Sequence, residues 1–279
     1  MDVSEKEIYM YNFYGNKVTE CKNKELTILV ISYDGAKELW HPFSQAWEKF
    51  WADCPFDKVL ITQNISQVAD SNFDNIIPVA SEASKAVFRI REALNHIDSE
   101  YILLMCDDYF LKNKPESYIF TEIINLMQCE EISCVHLQNK RKYMNKIVLN
   151  EIENRNFLIS GGIPCIYQKE FLTMLCEKFS DCTMREFETR ASRWLQKEKA
   201  KIKNVENSSF ICYHCVLEGY WRLKPYRWCK KSNINILCKT YKKPNLMHSV
   251  RACGKALAFN IALYLFPEIY KKWSLKRYK

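Results

Sequence analysis

Four short apolar runs, each followed by a polar loop and separated by helix-periodic stretches, do most to limit what this chain can fold into. Leu26 to Ser32 (LTILVIS) is rich in β-branched residues and runs into Tyr33-Asp34-Gly35. Lys58 to Thr62 (KVLIT), Ile76 to Val79 and Tyr101 to Cys106 (YILLMC) repeat the pattern. Runs this short, apolar on both faces, suit strands buried between two helical layers. Between them, Leu39, Phe43, Ala46, Trp47 and Phe50 recur three and four apart. Ala86, Ile90, Ala93, Leu94 and Ile97 mark one face of a helix expected from Ser81 to Ile97, with Ser81 and Ser84 as candidate caps. This alternation predicts an α/β fold, a parallel, doubly wound sheet with its active groups at the carboxyl ends of the strands.

The spacing predicts further helices over Asn113 to Gln128, Lys169 to Phe179 and Arg185 to Gln196, and strands over Ser133 to Leu137 and Phe210 to Tyr220. Asn139 to Asn156 is polar, basic and aperiodic, and reads as a loop near a substrate. Only 6 Gly and 8 Pro argue against a turn-rich all-β fold, and 279 residues suffice for one large domain or one domain with an appendage.

Charge separates an appendage from a body. From Lys239 to Lys279, ten Lys and Arg stand against Glu268 alone, leaving 31 basic and 32 acidic residues in the rest of a chain whose formal charge is +8. A near-neutral body argues against nucleic acid as a partner. The expected organisation is a body over 1–238 and a basic tail over 239–279. Within the tail, the eleven residues Ala256 to Phe266 (ALAFNIALYLF) are too few to span a bilayer. Arg251, Lys255, Lys271, Lys272, Lys276, Arg277 and Lys279 flank them, with Tyr270, Trp273 and Tyr278 as interfacial aromatics. The pattern suits an amphipathic helix on an anionic membrane surface, the alternative being a helix packed on the body.

Thirteen cysteines, an odd number, with no apolar leader across Met1 to Asn16, point to free thiols in a cytoplasmic protein. Cys106, Cys134 and Cys165 lie in apolar runs as small buried hydrophobes. Cys212-Tyr213-His214-Cys215, with Cys229 and Cys238 beyond, follows no zinc-finger spacing.

Asp107 and Asp108 end the fourth run. Two like charges at the mouth of a buried strand are costly unless a positive charge joins them. Hard carboxylate oxygens suit Mg2+ or Mn2+, and such a cation neutralises a substrate diphosphate. The plainer alternative is an Asp-Asp surface turn.

The order of apolar strand, carboxylate pair and aromatic from Met105 to Phe110 (MCDDYF), one helix after Arg89 and Arg91, resembles the metal motif of GT-A glycosyltransferases. The likeness is to family 2-like bacterial enzymes that build surface polysaccharides such as capsule and lipopolysaccharide, and it runs from Leu26 to Ile236. The chain departs from the family's Asp-x-Asp: Met105 stands where a first Asp would be, so either Asp107 or Asp108 could hold the metal and the other the ribose. The resemblance implies a GT-A, Rossmann-like fold, with a nucleotide-binding half over 26–112 and an acceptor half over 113–238. It implies that Ser32, Tyr33 and Asp34 hold base and ribose, that Arg89 reaches the diphosphate, and that Gly161 and Gly162 lie beside the donor sugar. It also implies that Glu188, with Glu186 second, is the general base of an inverting reaction, and that His214 completes the metal shell of Asp107 and Asp108.

The activity so implied is metal-assisted transfer of a sugar, with Mn2+ or Mg2+, from a nucleotide-diphosphate sugar to a glycan or lipid-linked glycan. The enzyme would be cytoplasmic and peripheral on the inner face of the cell membrane. One rival is a sugar nucleotidyltransferase, disfavoured because Gly35 and Lys37 are all that residues 33–37 offer of the expected glycine- and basic-rich loop. The other is a non-catalytic, membrane-peripheral relative that binds nucleotide sugars.

Overall fold

The computed structural model describes residues 25–66, 68, 71–137, 147–152, 158–205, 208–245 and 254. The helix expected over Ala256 to Phe266 and its basic flanks lie outside the described residues, as do Met1 to Asn16 and most of the expected 139–156 loop.

The apolar runs become β1 (Leu26–Ile31), β2 (Asp57–Thr62), β3 (Asn75–Pro78) and β4 (Tyr101–Cys106). After β1 the chain makes a 3-10 helix, Asp34–Leu39, and α1 (Trp40–Trp51); α2 (Ala86–Leu94) precedes β4. Then come β5 (Tyr109–Leu111), α3 (Tyr118–Cys129), β6 (Cys134–His136), β7 (Leu149–Glu151), β8 (Cys165–Gln168), α4 (Lys169–Lys178), α5 (Met184–Glu198), β9 (Ile202–Val205) and β10 (Cys212–His214). The described residues divide into two compact units, Met1–Tyr213 and His214–Lys279.

The first unit holds an eight-stranded sheet in the order β3-β2-β1-β4-β8-β6-β9-β7. Its β3-β2-β1-β4 part is parallel throughout, the Rossmann-like arrangement, and the protein is of the α/β class. All six residues of β1 are buried, as a strand covered on both faces requires. Leu29, Ile31, Val59, Ile61, Ile102 and Leu104 face a core closed by α2, α4 and α5. The alternate residues Ile28, Val30, Leu60, Leu103 and Met105 are equally buried and point to the other face. Trp51 stacks on Phe120 with centroids 5.2 Å apart, tying α1 to α3, and Phe210 packs edge-on against Phe120 at 5.5 Å.

Beyond that parallel part, β8 runs antiparallel to both β4 and β6, and β7 antiparallel to β9. Apolar runs identify strands but carry no direction. Here the chain leaves β6 at Leu137 and returns at Pro164, whose carbonyl accepts from the Leu137 N–H at 3.0 Å, so β6 and β8 meet as a hairpin base. The helix expected from Ser81 begins only at Ala86, and neither Ser81 nor Ser84 caps it. The Arg89 side chain reaches back instead, donating from Nη1 to Glu82 O at 2.7 Å and from Nη2 to Ala83 O at 3.1 Å, and holds those residues off the helix.

In the second unit, the continuous strand expected over Phe210 to Tyr220 is broken. β11 (Val216–Leu217) and β12 (Tyr220–Trp221) form a hairpin, followed by α6 (Leu223–Lys231). The two turn residues are left-handed, Glu218 at φ 49° and Gly219 at φ 79°, the backbone a tight two-residue hairpin turn demands. Among the described residues no helix is long and apolar enough to cross a membrane.

Candidate active site

Parallel pairing places Ile31 opposite Cys106, so the residues that follow, Ser32 and Asp107, emerge side by side at the carboxyl edge of the sheet. The Asp107 N–H donates to Ile31 O at 3.2 Å. The Ser32 hydroxyl donates to Asp107 Oδ2 and accepts from Trp40 Nε1 at 2.6 Å. Ser32 and Asp107 are both buried, at 3% and 7% exposure, whereas Asp108 is half-buried. Burial, and secondly the Asp108 charge, push the Asp107 carboxyl up to about 8, although Ser32 and Trp40 pull it down. A buried acid held neutral by want of a counter-charge, beside a second carboxylate, is a donor set that fits a hard divalent cation. Trp40 was not expected here; nothing distinguishes it in the sequence from the other apolar residues of its helix.

Cys106 joins this edge to the glycine loop. Its Sγ donates to Gly161 O at 3.3 Å. Burial drives the thiol well up, and the charges of Asp108, Asp107 and Glu188 add to that, so all three carboxylates bear on one sulfur. The Gly161 N–H donates to Glu188 Oε1 at 2.9 Å, and the Ser160 hydroxyl to the same oxygen at 3.3 Å. Burial raises Glu188 above the ordinary carboxyl range despite these two donors. Cys106 and the glycine loop thus bring Asp107, Asp108, Gly161 and Glu188 together.

The two glycines are not equivalent. A Cβ on Gly161 would lie 1.8 Å from Met184 Sδ, so any larger residue here would have to displace the Met184 side chain at the start of α5. A Cβ on Gly162 would make ordinary contacts, 3.8 Å from Cys106 and 3.9 Å from Tyr109.

Glu186 has a different occupation from the one expected. Its Oε2 accepts from the N–H and the hydroxyl of Thr183, both at 2.8 Å, while the Glu186 N–H donates back to the Thr183 hydroxyl at 3.4 Å. This is a capping box at the start of α5, and it lowers the Glu186 carboxyl. Thr183-Met184-Arg185-Glu186 carries the T-x-x-E signature that would have revealed it.

In the nucleotide half, Asp34 is engaged by the loop after β2. Its Oδ1 accepts from the Gln63 N–H at 3.0 Å, and its Oδ2 from the Asn64 N–H at 3.1 Å and the Asn64 amide at 3.2 Å. Burial opposes ionisation there, but these donors outweigh it and hold the carboxyl below its usual value. Gln63 Nε2 donates onward to Ser81 O at 2.6 Å, and Arg89 Nη1 donates to Ser81 Oγ at 3.1 Å. Asp34 and Arg89 therefore stitch together the loops after β1, β2 and β3. The Arg89 guanidinium is buried and turned to loop oxygens, not presented at an open surface; burial lowers its pKa and Asp34 partly restores it. Tyr33, 37% exposed, packs its ring against Gly35, where a Cβ would lie 2.5 Å from Tyr33 Cε2. His214 ends β10, half-buried, and is the first residue of the second unit.

No family model matches this chain, and no curated protein does. Among solved structures it is similar to S. aureus TarS 1-349, with 10% identity and a TM-score of 0.41 over 68% of this chain. The chain spans 59% of the length of that structure. It is also similar to a cytidylyltransferase from Leptospira borgpetersenii, with 12% identity and a TM-score of 0.40 over 77% of this chain and 98% of that one. A third similarity is to 4-diphosphocytidyl-2C-methyl-D-erythritol synthase from Anaerococcus prevotii, with 13% identity and a TM-score of 0.38 over 69% and 94% of the two chains.

Proposed function

We propose that this chain is a metal-assisted glycosyltransferase that moves a sugar from a nucleotide-diphosphate sugar to a hydroxyl of a glycan or lipid-linked glycan. What supports it most is the meeting, at the carboxyl edge of a parallel sheet, of the buried Asp107 beside Asp108 with Glu188 pinned to the Gly161 loop. Asp107 and Asp108 would hold Mn2+ or Mg2+. The cation supplies neutralisation of the diphosphate. Ser32 orients Asp107 through its hydrogen bond, and Trp40 fixes Ser32 in turn. Tyr33 offers its exposed ring to the base, while Asp34 and Arg89 shape the loop that receives it.

Glu188 is the general base. Burial raises its basicity toward what a catalyst near neutral pH needs, and the Gly161 N–H and Ser160 hydroxyl hold its orientation. As the acceptor oxygen bonds to the anomeric carbon, its proton passes to Glu188. The bond from that carbon to the diphosphate breaks on the opposite face, releasing nucleoside diphosphate with inversion. Glu186 has no part in this step. The body is the catalytic domain, and the basic tail holds it on an anionic inner membrane surface where a lipid-linked acceptor is found.

The test is a thermal-shift panel of UDP, GDP, CDP and dTDP with and without Mn2+, then transfer assays with matching sugar donors. One nucleotide should raise the melting temperature only with Mn2+, corresponding to about 2.7 kcal/mol at a hundredfold excess over Kd. Asp108→Ala should lose that shift. Glu188→Gln should keep the shift and lose transfer. A folded protein that answers to no nucleotide would overturn the proposal and favour a non-catalytic protein.

A further inference from the structure

The most unusual chemistry outside this site lies within the sheet. Antiparallel pairing sets Cys134 opposite Tyr167 and His136 opposite Cys165 on β6 and β8. The two-residue repeat of a strand then puts all four side chains on one face. Cys134 and Cys165 are fully buried and His136 is 5% exposed. One donor atom from each of Cys134, His136 and Cys165 lies within 4.8 Å of the other two. Around a tetrahedral zinc, with bonds of about 2.3 Å to sulfur and 2.0–2.1 Å to nitrogen, such atoms stand about 3.5–3.8 Å apart, so a contraction of at most about 1.3 Å sets three of the four corners in place.

The imidazole is already oriented for ligation. His136 Nε2 lies 2.9 Å from Leu158 O, a carbonyl that can only accept, so Nε2 carries the proton and Nδ1 keeps its lone pair. Fixing one ring nitrogen on a backbone carbonyl is how proteins orient a metal-binding histidine. The Tyr167 hydroxyl lies beside both sulfurs and spends its one proton on Ser160 O at 3.0 Å. Two thiols and an imidazole are a soft donor set, unlike the carboxylates of the candidate active site.

We propose that Cys134, His136 and Cys165 form a buried zinc site that clamps β6 to β8 beneath the loop carrying Ser160 and Gly161. Loading is not a redox step. Zinc displaces one proton from each thiol, two sulfur–zinc bonds and one nitrogen–zinc bond form, and two protons pass to solvent. The clamp acts on Leu158 through His136 and on Ser160 through Tyr167, the segment that positions Glu188.

The full chain, expressed with zinc in the medium and purified without chelator, should carry one zinc per chain by elemental mass spectrometry. Apoprotein prepared under reducing conditions and titrated with Co2+ should develop a thiolate-to-cobalt charge-transfer band saturating at one equivalent. Cys134→Ser and Cys165→Ser should each lose the band, while Cys176→Ser, buried in the same core outside the cluster, should keep it. If the serine variants fail to fold, the cobalt spectrum of the natural chain still decides. Folded protein with under a tenth of an equivalent of zinc and no charge-transfer band overturns the proposal, as does a Cys134–Cys165 disulfide in the natively purified chain. No nucleotide enters the experiment, so its outcome is independent of the glycosyltransferase proposal.

Discussion

Asp107→Asn separates the electrostatics of the candidate active site from its packing. Asparagine keeps the shape and an oxygen for the Ser32 hydroxyl but cannot ionise. In the natural chain the Asp107 carboxyl lies at about 8, against an ordinary value of 3.8. An acid raised in the folded state favours folding in its protonated form. Its contribution is therefore fully present below 3.8 and is lost as pH climbs through 8. At 1.36 kcal/mol per pH unit, the whole gap corresponds to roughly 6 kcal/mol, of which about 2.5 kcal/mol falls between pH 5.5 and 7.5. In metal-free buffer, urea unfolding of the natural chain should lose about that much stability across this interval, and Asp107→Asn should lose far less. Millimolar Mn2+ should restore the natural chain at pH 7.5 and leave the variant unmoved. Equal pH slopes in the two proteins would refute the reasoning, because Asp107 would then ionise without penalty and need no cation.

Three further outcomes are expected. Gly161→Ala should destabilise by about 1–3 kcal/mol in chemical denaturation, since its methyl group meets Met184, whereas Gly162→Ala should stay within about 0.5 kcal/mol. Glu186→Ala should lower stability by about 1 kcal/mol through loss of the α5 cap while leaving kcat nearly unchanged, in contrast to Glu188→Gln. Arg89→Met should cost about 2–3 kcal/mol by stranding the carbonyls of Glu82 and Ala83, and hydrogen exchange should rise in residues 81–85.

The parallel half was legible because β1 buries all six of its residues and β4 five of six, and few sequences offer LTILVI and YILLMC for any other purpose. The Asp107–Asp108 pair was legible as two like charges ending an apolar strand, whereas the Gly161 loop and Glu188 were legible only through resemblance to a family and through their order. Their meeting depends on β8 running backwards, which no local pattern encodes. Asp34 and Arg89 were read as ligand-facing because loops after parallel strands usually are, yet here they satisfy neighbouring loops. The Thr183 cap and the Glu218-Gly219 turn did leave signals, a T-x-x-E spacing and a glycine in a β-branched stretch, that a longer strand and an acidic motif obscured. The Cys134–His136–Cys165 cluster was hidden because its halves come from strands about thirty residues apart in the chain and adjacent only in the sheet.

The hairpin base between Leu137 and Pro164 also bears on how such a protein diversifies. The segment it closes is anchored by that seam and, within it, by β7, which pairs with β9, and by the Ser160–Gly162 loop that holds Glu188. Material can be exchanged between Leu137 and β7 without disturbing the parallel half that presents Asp107, whereas the loop before Pro164 is tied to Cys106 and Glu188. A lineage built on this frame would hold the Ser160–Gly162 loop constant along with the carboxylates and accumulate its variety between Leu137 and Leu149.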